Sequence, residues 1–189
     1  YDHQFGHDRQ GNLAFLRSYE AKNLFKVEEI PAEQIDEANI SSSKIRKAIL
    51  NGEISVANSY LGSPFELRGT VVKGLQNGRT IGFPTANIQI HDEQKIIPAT
   101  GVYAVEMRLL GQIHQGMMNI GWRPTIAEEK IKRKIEVHLF DFTEDIYEEQ
   151  CEIRVHNYVR PEHKFPNLDA LKSQIALDEA TIRAYFSNH

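Results

Sequence analysis

Two hydrophobic periods divide this chain. Between residues 13 and 61 the apolar positions recur at helical spacing, with a cluster at Leu13-Ala14-Phe15-Leu16 and with Ile45, Ala48 and Ile49 on one face of a second segment. Ser41, Ser42 and Ser43 offer N-caps to that segment, and Gly52 stands where a C-terminal glycine belongs. A further short helix is predicted over Ile54 to Leu61, after which Gly62-Ser63-Pro64 punctuates the chain. From Phe65 the period drops to two. Phe65, Leu67, Gly69 and Val71 alternate with polar or small residues, as do Tyr103, Val105, Met107 and Leu109, then Ile135, Val137 and Leu139, then Cys151, Ile153 and Val155. Strands that follow one another without intervening helices predict an antiparallel sheet or a small barrel and disfavour a parallel βαβ fold. The end is helical again: Leu168, Leu171, Ile175, Ile182 and Phe186 form a stripe for packing on the barrel, started by Pro166-Asn167 with Asp169 in the first turn.

Composition narrows the function classes. The 189 residues are 41% hydrophobic and 25% charged, ordinary for a globular protein with a real core. Their net charge of -4, without a long basic run, gives no electrostatic footprint for nucleic acid or an anionic membrane. No apolar run approaches the roughly 20 residues that span a bilayer. The single cysteine, Cys151, excludes an internal disulfide and a cysteine-rich zinc site, and reads as a buried strand residue. The polar opening Tyr1-Asp2-His3-Gln4 does not look like a secretory signal, so a reducing, cytoplasmic setting is expected. A turn-like start without methionine also suggests a chain cut from something longer.

Candidate chemistry concentrates between residues 74 and 87. Gly74-Leu75-Gln76-Asn77-Gly78-Arg79-Thr80 has the closely spaced glycines that let backbone N–H groups approach a phosphate. It is not a Walker A loop, which needs four residues between the glycines, then Lys and a hydroxyl residue opening a helix. A glycine-rich strand connection is the competing account. Thr85 and Asn87, two apart on an extended segment, point the same way. A hydroxyl and an amide carbonyl are hard oxygen donors, suited to a Mg²⁺ ion that draws its negative ligands from nucleotide phosphates. Pro84 fixes the backbone just before them. His114, His138, His156 and His163 lack a two-histidine metal spacing and read as surface or core histidines.

The run Gly69-Thr70-Val71-Val72-Lys73-Gly74 followed by Gly78-Arg79-Thr80-Ile81-Gly82-Phe83-Pro84-Thr85-Ala86-Asn87 resembles the start of the riboflavin kinase module of bacterial bifunctional riboflavin kinase/FMN adenylyltransferases. Matches continue in order through Gly101-Val102-Tyr103-Ala104-Val105, Asn119-Ile120-Gly121, Pro124-Thr125, Glu136-Val137-His138-Leu139, Asp141-Phe142 and Arg160-Pro161-Glu162 with Phe165, over residues 65 to 187. The resemblance implies a mainly β fold, a six-stranded antiparallel Greek-key barrel closed by a C-terminal helix. It implies MgATP and riboflavin as substrates and FMN as product. Gly74 and Arg79 would lie at the ATP phosphates, and Thr85 and Asn87 would hold Mg²⁺. Glu136 would be the base for the ribityl 5′-hydroxyl, Tyr147 would border the nucleotide and Arg160 would help hold the flavin. On residue chemistry alone, an exposed strand-face carboxylate is the better account of Glu136, while Tyr147 is equally a strand-end packing residue and Arg160 a solvated loop cation. Arg123 departs from the family, which more often has Asn there, next to Trp122 where the flavin would enter.

Residues 1–61 resemble a mostly helical C-terminal remnant of the Rossmann-like adenylyltransferase module, and residues 62–189 the kinase domain. Ile40-Ser41-Ser42-Ser43-Lys44-Ile45-Arg46 resembles a late motif of that module, and Phe5-Gly6-His7-Asp8-Arg9-Gln10-Gly11 an earlier loop. Hydroxyls at a helix start beside Lys44 and Arg46 could cradle a triphosphate, and ordinary capping explains them equally well. The module's opening strand and Gly-His nucleotide loop are not found here, so FAD synthesis is not expected of this chain. A second reading, a flavin-binding barrel acting as a sensor without catalysis, would need neither Thr85 and Asn87 as ligands nor Glu136 as base.

Overall fold

The computed structural model describes residues 5–20, 22, 25–28, 34–35, 38–74, 82–123 and 132–188. They fall into two compact units, residues 1–41 and 42–189. In the first, Phe5 and Gly11 exchange two backbone hydrogen bonds of 2.9 Å around a 3₁₀ turn at His7–Arg9. Helix α1 (Leu13–Glu20) starts where the Asn12 side chain accepts from the Phe15 N–H at 2.9 Å. Two short strands, β1 (Gln34–Ile35) and β2 (Ala38–Asn39), pair antiparallel. None of the α1 side chains is buried; Phe15 lies 5.1 Å from Tyr19 and 6.4 Å from Phe5, and Glu20 accepts from the Val27 N–H at 3.2 Å.

The second unit opens with α2 (Ser42–Asn51) and α3 (Ile54–Leu61). Gly52 turns the chain between them at φ +81°, a left-handed conformation that glycine adopts without a Cβ penalty. Six strands follow: β3 (Phe65–Val72), β4 (Ala86–Ile90), β5 (Gly101–Leu109), β6 (Gln112–Arg123), β7 (Lys132–Leu139) and β8 (Gln150–Arg160). All neighbours are antiparallel, and the order β3-β4-β7-β6-β5-β8 closes because β8 pairs back onto β3. The run β5-β6-β7 with β8 returning beside β5 is the Greek key implied by the resemblance.

The period-two pattern becomes the barrel's interior. Leu67, Val71, Tyr103, Val105, Met107, Leu109, Val137, Ile153 and Val155 are all buried in one cluster. Ala48, Ile49, Ile54 and Ala57 of α2 and α3 join the same cluster, so these helices plug the barrel rather than standing apart from it. Asn58 stitches α3 down: its amide donates to the Val155 and His156 carbonyls at 2.9 and 3.3 Å and accepts from the Phe65 N–H at 2.8 Å.

The last helix, α4 (Leu168–Ser187), begins at an N-cap where Asn167 accepts from the Ala170 N–H at 2.8 Å, at the start expected for it. It covers a second cluster on the outside of the barrel, in which Val102, Ala104, Met117 and Phe140 pack with Ile182. Strand β5 is therefore buried on both faces over its first five residues, which strict alternation does not foretell. Leu168 departs from the expected stripe. It is 62% exposed, because the helix residues packed on that cluster are Ile175, Ile182, Tyr185 and Phe186. No described helix is long and apolar enough to cross a membrane.

Asn58→Ala should lower the unfolding free energy by about 1–3 kcal/mol, since it strands a backbone N–H and two carbonyls at the α3 junction. Urea denaturation of the two proteins measures this.

Candidate functional site

Antiparallel pairing decides which side chains of this barrel meet. Directly opposed residues on neighbouring strands point to the same face, and one row of partners runs Val72, Asn87, Glu136, Asn119, Val102 and Arg160. Asn87 thus stands directly across from Glu136, although 49 positions separate them in the chain. Thr85, just before β4, donates from its hydroxyl to Glu136 Oε1 at a long 3.4 Å. The expected metal donors and the expected base are one constellation.

Neighbouring residues set its geometry. Gly74 lies directly under the Asn87 amide, and a Cβ at that position would overlap it; the glycine is there for the close approach. His138 donates from Nδ1 to the Pro84 carbonyl at 2.7 Å, and the Phe83 ring packs edge-on to it at 5.5 Å, fixing the backbone that leads into Thr85. Lys134, two residues before Glu136 on β7, places its ammonium 2.8 Å from Glu136 Oε1. Reading the sequence missed both the His138 tether and Lys134. The signal for Lys134 was its two-residue offset from Glu136 on one strand face.

A cleft of about 430 Å³ opens beside Thr85, with Pro84, Val137, Phe142, Glu144 and Tyr147 among its lining. The loop after β7 that walls it is tied to β3 by the Val71 N–H to the Glu149 carbonyl at 2.9 Å and the Glu148 N–H to the Val71 carbonyl at 2.8 Å. Tyr147 borders this cleft, with the Lys73 ammonium 5.7 Å from its ring centre.

No group of three His, Cys, Asp or Glu side chains among the described residues could by itself hold a metal. Thr85 and Asn87 are two neutral oxygen donors on one strand end, too few for a resident ion. That set fits a Mg²⁺ ion whose remaining ligands arrive as waters and substrate phosphates.

Arg160 closes the row at the far side, and its surroundings are specific. Its Nε and Nη2 reach the Asp178 carboxylate of α4 at 2.9 and 2.6 Å, and Nη1 donates to the Pro161 carbonyl at 2.9 Å. Asp178 is 3% exposed and also accepts from Gln174 at 2.8 Å. The guanidinium sits 5.8 Å from the Phe165 ring centre, so one side chain links β8, α4 and the loop between them. Arg79 and Pro124-Thr125 lie outside the described residues, and of Arg123 the backbone alone is placed, at the end of β6.

Comparison with known proteins decides the family. The riboflavin kinase family model matches residues 61–186. The chain belongs to the riboflavin kinase family. It is 43% identical over 188 residues to a bifunctional riboflavin kinase/FMN adenylyltransferase of Haemophilus influenzae, covering 99% of this chain and 60% of that protein. A protein of the same name from Listeria monocytogenes is 40% identical over 187 residues, covering 99% of this chain and 59% of the relative. The chain thus spans about three fifths of the length of the curated relatives it matches. A crystal structure of a protein named as a macrolide-efflux protein from Streptococcus pneumoniae superimposes with a TM-score of 0.88 at 35% identity, covering 97% of this chain and 58% of that one.

Two outcomes follow for this riboflavin kinase domain. Asp178→Ala, which strands the half-buried Arg160 cation, should cost about 3–5 kcal/mol in urea unfolding, and replacing both partners by Met and Leu should recover most of it. Gly74→Ala should displace the Asn87 amide and weaken MgADP binding at least about tenfold by calorimetry, the loss of one well-placed contact, with thermal stability changing little.

Proposed function

We propose that this domain transfers the γ-phosphoryl group of MgATP to the 5′-hydroxyl of riboflavin, giving FMN and ADP. The observation that carries the reading is the register that sets Asn87 opposite Glu136 with Thr85 at hydrogen-bond reach of the same carboxylate. Phosphoryl transfer needs positioning and charge neutralisation more than covalent chemistry. This constellation supplies the positioning on one strand pair, and the cation its neutral donors would hold would supply the neutralisation.

The nucleotide occupies the cleft beside Thr85, bordered by Tyr147. Glu144 and Asp145 at its edge favour entry of the polyphosphate as its cation complex rather than as a bare anion. Thr85 Oγ and the Asn87 amide oxygen would hold Mg²⁺, which would neutralise charge on the phosphates. The Thr85 hydroxyl donates a hydrogen bond to Glu136 Oε1 and keeps its lone pairs free for a cation. The backbone at Gly74 would lie along the phosphates, the place also expected for Arg79, which is outside the described residues.

Riboflavin lies on the opposite side of Glu136, toward Asn119 and the loop after Arg160. Glu136 accepts the proton of the 5′-hydroxyl as that oxygen bonds to the γ-phosphorus and the bond from phosphorus to the β–γ bridging oxygen breaks. Arg160 serves the flavin through the loop it fixes, since its nitrogens are engaged with Asp178 and Pro161. The net charge of -4 suits small-molecule partners rather than nucleic acid. A reducing, cytoplasmic setting agrees with a buried thiol at Cys151, which burial pushes up to about 11. FMN is the end product proposed for these residues; adenylyl transfer to FAD belongs to the names of the longer relatives.

Following FMN with riboflavin and MgATP tests the reading. Wild type should turn over, and Glu136→Gln should lower kcat by about 10²–10⁴-fold, the usual contribution of a positioned base. Full activity in the variant would remove Glu136 from the role of base. Flavin binding by a wild type that makes no FMN would point instead to a sensor barrel.

A further inference from the structure

Neither the motifs nor the family resemblance assigns Lys134. The same Lys-x-Glu spacing occurs at Lys26 and Glu28, where the side chains are 79% and 83% exposed and meet at 3.3 Å; that pair is a solvated surface contact of little consequence. Lys134 and Glu136 are different. Their side chains are 30% and 24% exposed and meet at 2.8 Å. On β6 the residue opposite Lys134 is Gly121, with no side chain to compete for the space. The Glu162 carboxylate packs over Gly121 and is turned to Asn119 at 3.5 Å, so Glu136 is the anion that Lys134 grips.

The grip has a direction. Both contacts to the carboxylate, the ammonium of Lys134 and the hydroxyl of Thr85, fall on Oε1. Oε2 has no hydrogen-bond partner among the described residues. A carboxylate oxygen 3.4 Å from Thr85 Oγ is also within reach of any cation that the hydroxyl would bind at about 2.1 Å. Left unpaired, such a carboxylate would rotate onto the cation, because anionic oxygen is a stronger ligand for a hard cation than either neutral donor present. A carboxylate spent as a ligand is a poor proton acceptor.

We propose that Lys134 is a positioning residue of the transfer step. It holds Glu136 by Oε1, presents Oε2 to the attacking hydroxyl, and keeps the carboxylate from closing on a cation at Thr85 and Asn87. This rests on the kinase reading above.

Two variants, Lys134→Gln and Lys134→Arg, are assayed for FMN formation at saturating substrates, melted thermally, and titrated with Mn²⁺ alone by electron paramagnetic resonance. Lys134→Gln should lose about tenfold or more in kcat, part of what the base itself contributes, with the riboflavin KM within about twofold and the melting temperature close to wild type. It should bind Mn²⁺ several-fold more tightly than wild type, and Lys134→Arg should recover most of the turnover. An active wild type beside a Lys134→Gln variant of unchanged kcat and Mn²⁺ affinity would overturn the inference alone. So would a variant whose kcat falls only with its melting temperature, which would make Lys134 a strut. A wild type that forms no FMN would instead overturn the kinase reading, and this inference with it.

Discussion

The Asn87–Glu136 register across β4 and β7 is the constraint on which the site depends. Strand pairing permits one-residue slips only by turning every side chain to the opposite face. Here a slip would drive Val137 outward and Glu136 into a core made of Leu67, Val71, Tyr103 and Ile153. The cost of burying an unpaired carboxylate among these groups is several kcal/mol. The core therefore fixes the site's geometry without touching a substrate. Barrel closure adds to it, because β3 pairs with both β4 and β8 and leaves no free edge from which β4 could drift.

A second anchor works at the other end of the same row. Asp178 is buried on α4, and its ion pair with Arg160 ties the helix to the end of β8. Removal of either partner alone leaves an uncompensated charge, so helix, loop and strand end stay in one arrangement. A further ion pair backs the helix's last turns: Arg183 makes two contacts with Asp141 at 2.9 and 3.0 Å and stacks on Phe140. Arg183 also holds the Asp141 carboxyl below the usual carboxylate range.

Much of this was legible in the residues. Period two identified which side chains of β3, β5, β7 and β8 face inward, because alternation records burial on one face directly. It could not announce that Val102 and Ala104 are buried as well, since the cover on their face comes from a helix some eighty residues later. The stripe on α4 named Ile182 correctly and Leu168 wrongly, and it passed over Asp178, a charge at helical spacing between Ile175 and Ile182. Thr85, Asn87 and Glu136 were nominated by motif, yet alternation gives a face and never a partner. Gly74 shows the same limit: its role is to leave room for Asn87, visible only once strand register brings the two together. Lys134 escaped because Lys-x-Glu on a strand is common on solvated faces.

The most direct test of the shared site is a crystal structure of the domain with ADP, Mg²⁺ and riboflavin bound. The account predicts Mg²⁺ coordinated by the Thr85 hydroxyl and the Asn87 amide oxygen. It also predicts the ribityl 5′-oxygen at about 2.6–3.2 Å from Glu136 Oε2. A nucleotide seated away from the Thr85–Tyr147 cleft, or a 5′-hydroxyl facing some other residue, would contradict it.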